Sequence, residues 1–155
     1  MSNRKSSLKF LQINLHHSKG ATDLCNNKIT TNKIDIEPYQ TKNIIRGLDK
    51  NCILYDSQNS VTPRACIVFK KGFQYTPLIQ FCTKDVVTAS IEIPHKSGNQ
   101  KIIICSAYFD IKLNIPTVIQ QIIDYCQAKN LQLILGCDAN AHSVLWNSFT
   151  KLSKI

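Results

Sequence analysis

The stretch that decides the fold of this chain is LQLILGCDANAH, residues 131–142. Its first half, residues 131–136, is a short apolar run that predicts a buried strand. The polar residues Asp138, Asn140 and His142 then follow at the C-terminal end of that strand. Catalytic groups often lie at such positions, because a rigid scaffold holds them. Asp138 and Asn140 also suit a simple turn or a helix cap, so the stretch by itself leaves both interpretations open.

Upstream of this stretch, strand-like segments interleave with one clear helix. Apolar residues recur at helical spacing from Val118 to Cys126, and Pro116 is suited to the first turn of that helix. A weaker helix is predicted for the Asn- and Thr-rich residues 21–33. The predicted strands are residues 8–15, 34–37, 52–55, 65–70, 86–93, 101–109 and 131–136. Because helices and strands do not alternate strictly, the pattern predicts an α+β fold in one domain.

Two local patterns refine the strand predictions. In residues 86–93, Val87 and Ile91 alternate with Thr88 and Ser90, which indicates a half-buried antiparallel strand. Residues 95–99 are expected to close a hairpin between this strand and residues 101–109. Pro38 is expected to end the strand of residues 34–37, since proline restricts the residue before it and cannot donate to a ladder.

The composition limits the class of protein. The chain has 155 residues, 43% of them hydrophobic, and 19 Lys and Arg against 10 Asp and Glu, a difference of +9. This charge suits a polyanionic partner, although it would also suit a merely soluble surface. Neither a bilayer-spanning apolar run nor a signal-peptide core is present. We therefore expect no membrane association and an intracellular location, nuclear or cytoplasmic rather than secreted.

The cysteines are expected to be reduced and buried. Their number is seven, an odd count, and no Cys-x-x-Cys pair occurs. Neither a disulfide framework nor a zinc finger fits this pattern in an intracellular chain.

Polar residues lie at the ends of three predicted strands. Asn14 is near the end of the first strand, Glu37 ends the second, and Asp138 follows the last. A carboxylate and an amide from separate strand ends can share one Mg²⁺, which takes few protein ligands and keeps several waters. Such a metal would offset charge that builds up on a phosphate. Taken alone, Glu37 is also compatible with a solvated turn.

Five segments in this order resemble one family. They are LQINL (11–15), IEPY (36–39), RACIV (64–68), SAYF (106–109) and GCDANAH (136–142), followed by Trp146. The chain resembles the endonuclease/exonuclease/phosphatase superfamily and, more closely, the apurinic-endonuclease-like domain of jockey-type non-LTR retrotransposons. The resemblance covers residues 8–148 and implies one domain over residues 1–155. The implied fold is part of a four-layer α/β/β/α sandwich, deoxyribonuclease I-like, with mixed and mainly antiparallel sheets.

The resemblance also implies an activity and the residues that carry it. The activity is metal-dependent hydrolysis of a DNA phosphodiester, with Mg²⁺ or alternatively Mn²⁺, which nicks target DNA for a reverse transcriptase domain of the parent polyprotein. Asn14 would be an active-site amide and, with Glu37, a metal ligand. Tyr108 would contact the scissile phosphate, and Asp138 would activate water or protonate the leaving oxygen.

Two further residues of the last segment take roles from the same resemblance. Asn140 would hold the phosphate or the Asp138 carboxylate. His142 is also a candidate catalytic residue, which would either do acid–base work or orient the loop that carries Asp138. The residues themselves leave alternatives, because Tyr108 could simply end a strand with its ring in the core.

The sequence departs from the family pattern in two places. The strand before Glu37 is shorter by about four residues, or roughly 13 Å. The family continues beyond the position of Ile155 with strands that carry a second acidic residue and an Asp-His pair. We therefore expect a domain incomplete at its C-terminus with absent or very weak catalysis. The alternatives are a non-catalytic nucleic-acid-binding remnant and a phosphatase of the same superfamily; the oligomeric state is left open.

Overall fold

The computed structural model describes residues 8–11, 13, 14, 23, 27, 31, 34–40, 51–55, 63–95, 98–110 and 114–138, with only the backbone described at 13, 14, 37–40 and 51–53. Within these residues the chain forms eight strands, a 3-10 helix at Ile79–Phe81 and one α-helix, α1, at Thr117–Ala128. The strands are β1 (Ile13–Asn14), β2 (Ile36–Gln40), β3 (Asn51–Leu54), β4 (Ala65–Lys70), β5 (Thr76–Pro77), β6 (Val86–His95), β7 (Gly98–Tyr108) and β8 (Gln132–Asp138).

The strands form two four-stranded sheets. The first sheet has the order β1-β2-β4-β3, and the second has the order β5-β6-β7-β8. In each sheet one edge pair is parallel, β1 with β2 and β7 with β8, while the other pairs are antiparallel. The sheets are therefore mixed and mainly antiparallel, and the prediction of an α+β fold is confirmed.

Two buried clusters place the second sheet between the first sheet and α1. One cluster joins the two sheets and includes Phe69 from β4 together with Val87 from β6 and Ile104 from β7. The other joins the second sheet to the helix and includes Ile103 from β7 and Ile122 from α1. Since successive side chains of a strand point to opposite faces, β7 contributes alternate residues to the two clusters.

The helix and the hairpin agree with their predictions. Pro116 directly precedes α1, and Val118, Ile119, Ile122 and Cys126 are buried along one face of the helix. Strands β6 and β7 pair antiparallel from Val86–Ala107 to His95–Gly98. Gly98 has a positive φ of 120°, a backbone conformation that a residue with a side chain rarely adopts.

The helix predicted for residues 21–33 is described at three positions. Asp23, Asn27 and Thr31 are helical, and the Thr31 hydroxyl donates a hydrogen bond to the Asn27 carbonyl at 2.8 Å. These positions agree with the predicted helix over residues 21–33, and its packing lies outside the described residues. Within the described part of the chain, no helix is both long and apolar enough to cross a membrane.

The prediction that residues 86–93 form a half-buried strand is wrong. Thr88 is fully buried and Ser90 nearly so, like the apolar residues with which they alternate. Both faces of β6 are covered over residues 86–91, where the strand lies between the first sheet and α1, whereas Glu92 is exposed as the alternation predicts. The Thr88 hydroxyl is accommodated there by donating to the Phe81 carbonyl at 3.3 Å.

The prediction that Pro38 ends a strand at Glu37 is also wrong. Strand β2 continues through Pro38, which pairs with Ile67 of β4. The Ile36 N–H donates toward β1, to the Lys9 carbonyl at 3.3 Å. The backbone nitrogen of Pro38 points to the same side of β2 as the Ile36 N–H, because the backbone groups of alternate residues in a strand point to the same side. Only two residues of β1 pair with β2, so the missing proline donor costs little on that side.

Candidate functional site

The start of β6 and the ends of β7 and β8 lie at the same end of the second sheet. Val86 begins β6 opposite Ala107, the next-to-last residue of β7. Tyr108, the last residue of β7, pairs with Asp138, the last residue of β8. We call this the site end of the sandwich, defined by Val86, Tyr108 and Asp138.

The first sheet reaches the same end. Asn14 ends β1 opposite Gln40, which ends β2 opposite Ala65, the first residue of β4. Just before β4, the Arg64 N–H donates to the Lys84 carbonyl at 2.6 Å, close to the start of β6. The backbone of Asn14 therefore lies at the site end, together with Tyr108 and Asp138.

Tyr108 and Asp138 are the two predicted site residues with described side chains, and the structure brings them together. Paired residues of neighbouring strands present their side chains on the same face of a sheet. Both residues are partly buried. The Phe109 N–H donates to the Asp138 carbonyl at 2.8 Å, which extends the β7–β8 pairing past Tyr108. A hydroxyl and a carboxylate are thereby carried on one rigid scaffold.

Arg64 occupies the space beside Tyr108. Its guanidinium carbon lies 4.5 Å from the centre of the Tyr108 ring. Nε and Nη2 donate to the two carboxylate oxygens of Asp85 at 2.5 and 2.6 Å, and Nη1 donates to Asp110 at 2.8 Å. The side chains of Arg64 and Asp85 are each 14% exposed.

The ion cluster of Arg64, Asp85 and Asp110 has a definite charge. The hydrogen bonds that Arg64 donates to Asp85, opposed by burial and assisted by those to Asp110, raise the pKa of Arg64 above its ordinary value. The arginine is therefore always protonated, and its charge is more than balanced by the two carboxylates. With both carboxylates ionised, the cluster carries a formal charge of −1.

Along β2, Glu37 lies three residues before Gln40, which is the residue at the site end. It pairs with Val68 of β4, whereas Asn14 is level with Gln40, three residues later in β2. Three residues of a strand span roughly 10 Å. A metal site shared by Glu37 and Asn14 stays a prediction, because the structure describes the backbone of these two residues but not their side chains. Asn140 and His142 lie outside the described residues.

Glu37 and Asn14 carry oxygen atoms of the types that bind magnesium ions. Glu37 supplies a carboxylate and Asn14 an amide, and both belong to adjacent parallel strands. Magnesium is commonly bound through one or two protein carboxylates together with water. Among the residues that the structure describes, no group of three or more His, Cys, Asp or Glu comes together as a metal cluster.

The described cysteines are free thiols, as the sequence predicts. Cys66, Cys105 and Cys126 are buried, and Cys82 and Cys137 are partly buried. Burial raises the pKa of Cys105 to about 12. Burial also raises the pKa of Cys126, and for Cys137 the charge of Asp138 adds to the effect of burial. These thiols suit packing rather than nucleophilic chemistry.

The ion cluster of Arg64, Asp85 and Asp110 is not predicted from the sequence. Arg64 is visible in the RACIV segment, and Asp85 and Asp110 flank predicted strands. In the sequence, each of these residues is only a charged residue at the boundary of a predicted strand, and such a residue is equally typical of a solvated turn. Their pairing joins residues 21 and 46 positions apart, so no local pattern predicts it.

A solved structure of the same fold covers nearly all of the chain. The endonuclease domain of TRAS1, a telomere-specific non-LTR retrotransposon, superposes with a TM-score of 0.71 over 90% of this chain at 24% sequence identity. The chain has a deoxyribonuclease I-like fold. This is the fold that the resemblance implies.

A second structure shares this deoxyribonuclease I-like fold. The human Nocturnin catalytic domain, solved with a bound sulfate anion, matches 87% of the chain with a TM-score of 0.54 and 13% identity. The chain spans 62% of the TRAS1 structure and 64% of the Nocturnin structure. No family model matches the sequence, and no curated protein matches it significantly.

Proposed function

We propose that the chain carries the Tyr108–Asp138 half of a metal-dependent DNA endonuclease site and hydrolyses phosphodiester bonds. The observation that supports this most directly is the pairing of Tyr108 with Asp138 at one end of a deoxyribonuclease I-like fold. A hydroxyl that contacts phosphate and a carboxylate that moves a proton must both lie within hydrogen-bond reach of the reacting phosphate. Both groups stand here on adjacent strand ends.

Each residue of the proposed site has a defined task. Tyr108 holds a phosphate oxygen through its hydroxyl. Asp138 activates the attacking water or protonates the leaving oxygen, and Asn140 and His142 hold the phosphate and the Asp138 loop. Glu37 and Asn14 bind Mg²⁺ or Mn²⁺, which when bound stabilises negative charge on the phosphate.

The substrate and the context of the reaction are part of the same proposal. The fold is that of an endonuclease domain of a non-LTR retrotransposon, and the net charge of +9 favours a polyanion. We therefore propose DNA as the substrate and a reverse transcriptase domain as a partner in the parent polyprotein. Since the chain spans 62% of the TRAS1 structure, we propose that the isolated chain has at most weak activity.

A plasmid-nicking assay tests the endonuclease proposal. Supercoiled plasmid is incubated with the chain in Mg²⁺, Mn²⁺ or EDTA, and the nicked circles are measured. We expect slow nicking that requires the metal and is lost in Asp138→Ala. The matched control is Asp124→Ala, because Asp124 is exposed on α1, where its carboxylate accepts a hydrogen bond from the Gln120 side-chain amide at 2.8 Å. Equal nicking by both variants would contradict the role of Asp138.

The second candidate is a non-catalytic nucleic-acid-binding function, which the charge of +9 favours. It predicts salt-sensitive retention on DNA with no metal-dependent nicking even at high protein concentration. A third outcome, release of phosphate from a phosphoinositide without nicking of DNA, would instead indicate a phosphatase of the same superfamily.

A further inference from the structure

We infer that Arg64 is a positioning residue that fixes Tyr108 for its contact with the phosphate. The inference rests on the proposed function for its catalytic consequence. Its physical basis is the set of contacts that join Arg64 to both sides of Tyr108. Arg64 itself touches neither substrate nor metal in this scheme.

The guanidinium group is held in one orientation. Three of its N–H groups donate to two carboxylates, and two of those bonds form a bidentate pair with Asp85. Bidentate pairing fixes the guanidinium plane, because the fork of donors matches the spacing of the carboxylate oxygens. With only 14% of the Arg64 side chain exposed, few other rotamers are open to it.

The partners of Arg64 are also attached to the backbone of Tyr108. The Tyr108 N–H donates to the Asp85 carbonyl at 2.8 Å, and Asp110 follows Tyr108 by two residues. The ring of Tyr108 then lies beside the fixed cation at 4.5 Å. Arg64 thus restrains the tyrosine through its ring and through the chain on either side of it.

The charge balance argues against Arg64 as a direct phosphate ligand. Two carboxylates surround the guanidinium, so its positive charge is already offset. A phosphate that replaced Asp110 would have to break a partly buried ion pair, whose carboxylate would lose its compensating charge. The contacts therefore favour positioning of Tyr108 over binding of substrate.

Fluorine NMR of the fluorotyrosine-labelled chain tests the positioning without any need for activity. The chain has five tyrosines, and Tyr108→Phe assigns the resonance of Tyr108. We expect Arg64→Gln to shift or broaden that resonance and to leave the resonance of Tyr125 unchanged. Tyr125 is the internal control, because it packs against Phe81 in the cluster next to α1. Arg64→Lys should resemble Arg64→Gln, since lysine cannot form the bidentate pair.

The catalytic consequence is measured on the same variants. Misplacement of a reacting group by an ångström can cost about 100-fold in rate. We expect kcat for nicking to fall by about 10- to 100-fold in Arg64→Gln with KM changed by less than about threefold. If Arg64→Gln proves unable to fold, Asp110→Asn keeps the Asp85 pair and should give a smaller shift of the Tyr108 resonance.

Opposite results would overturn the inference. One is a folded Arg64→Gln chain in which the Tyr108 resonance is unmoved. Another is a rise in KM with kcat unchanged, which would make Arg64 a substrate ligand. Because the NMR spectrum is recorded without DNA, a wild-type chain that fails to nick counts against the proposed function and not against the placement of Tyr108.

Discussion

Arg64 and Asp85 form a two-bond ion pair that ties the start of β4 in one sheet to the start of β6 in the other. Both side chains are 14% exposed, so either charge left alone would be poorly hydrated. We expect Asp85→Asn to lower the free energy of unfolding by about 2–4 kcal/mol, because the Arg64 charge then loses its strongest partner. Urea unfolding followed by circular dichroism measures this change.

The ion pair of Lys70 with Asp35 provides the matched control. Its atoms are 3.8 Å apart and the Lys70 side chain is 53% exposed. Exposed pairs of this kind contribute little, so Lys70→Gln should change the free energy of unfolding by less than about 0.5 kcal/mol. Similar losses in Lys70→Gln and Asp85→Asn would contradict the special status of the Arg64–Asp85 pair.

The buried hydroxyl of Thr88 gives a second prediction about stability. It donates to the Phe81 carbonyl at 3.3 Å and approaches the sulfur of Cys105 at 3.6 Å. We expect Thr88→Val to destabilise the chain by about 1 kcal/mol, because the carbonyl loses a donor that water cannot replace. Thr76→Val, at an exposed position of β5, should be nearly neutral in the same thermal or urea unfolding assay.

Thr88 also shows where prediction from the sequence fails. The alternation of apolar and polar residues predicts the strand and its antiparallel pairing correctly, because both depend on a local period of two. It cannot predict that a layer covers the polar face, since that depends on residues distant in the chain. For the same reason the sequence predicts the hairpin and the presence of β8 but assigns Thr88 and Ser90 to solvent. The prediction that residues 131–136 form a buried strand is wrong, because β8 is an edge strand on which Ile134 and Leu135 are 36% and 37% exposed.

In the candidate site, too, the sequence predicts the residues but not their arrangement in space. Asp138 is predicted by a strand that ends in polar residues, and Tyr108 is added by the family resemblance. That the two are level in β7 and β8 depends on a parallel register, which no local pattern fixes. The contacts of Arg64 with Asp85 and Asp110 depend on the docking of two sheets, so they become visible only in three dimensions.

Cys105 makes stability depend on alkaline pH. Burial raises its pKa from 9.0 to about 12, so the folded state keeps the proton that the unfolded state loses above pH 9. The stability contribution is therefore complete below pH 9 and decreases as the pH rises toward 12. A single such group lowers the free energy of unfolding by up to about 1.4 kcal/mol per pH unit in this window.

The comparison of wild type with Cys105→Ala isolates this group from the other thiols. Urea unfolding at pH 8, 9 and 10 should show a steeper loss of stability in the wild type than in Cys105→Ala. The variant will be less stable at pH 8 because a buried side chain is shortened, but its slope is the informative quantity. Equal slopes would show that Cys105 ionises alike in both states.

The negative charge at the site end predicts how DNA binding responds to Asp138. In EDTA, with no cation to offset it, the Asp138 carboxylate faces a phosphate that the proposed function places beside Tyr108. One charge at about 5 Å in water is worth somewhat under 1 kcal/mol, so Asp138→Asn should tighten DNA binding by about threefold. Fluorescence anisotropy with a labelled duplex measures the affinity, and Asp124→Asn is the charge-matched control on the exposed face of α1. Addition of Mg²⁺ should reverse the order of the affinities by tightening DNA binding more in the wild type than in Asp138→Asn. Equal gains in DNA affinity over the wild type in Asp138→Asn and Asp124→Asn would mean that net charge alone governs binding.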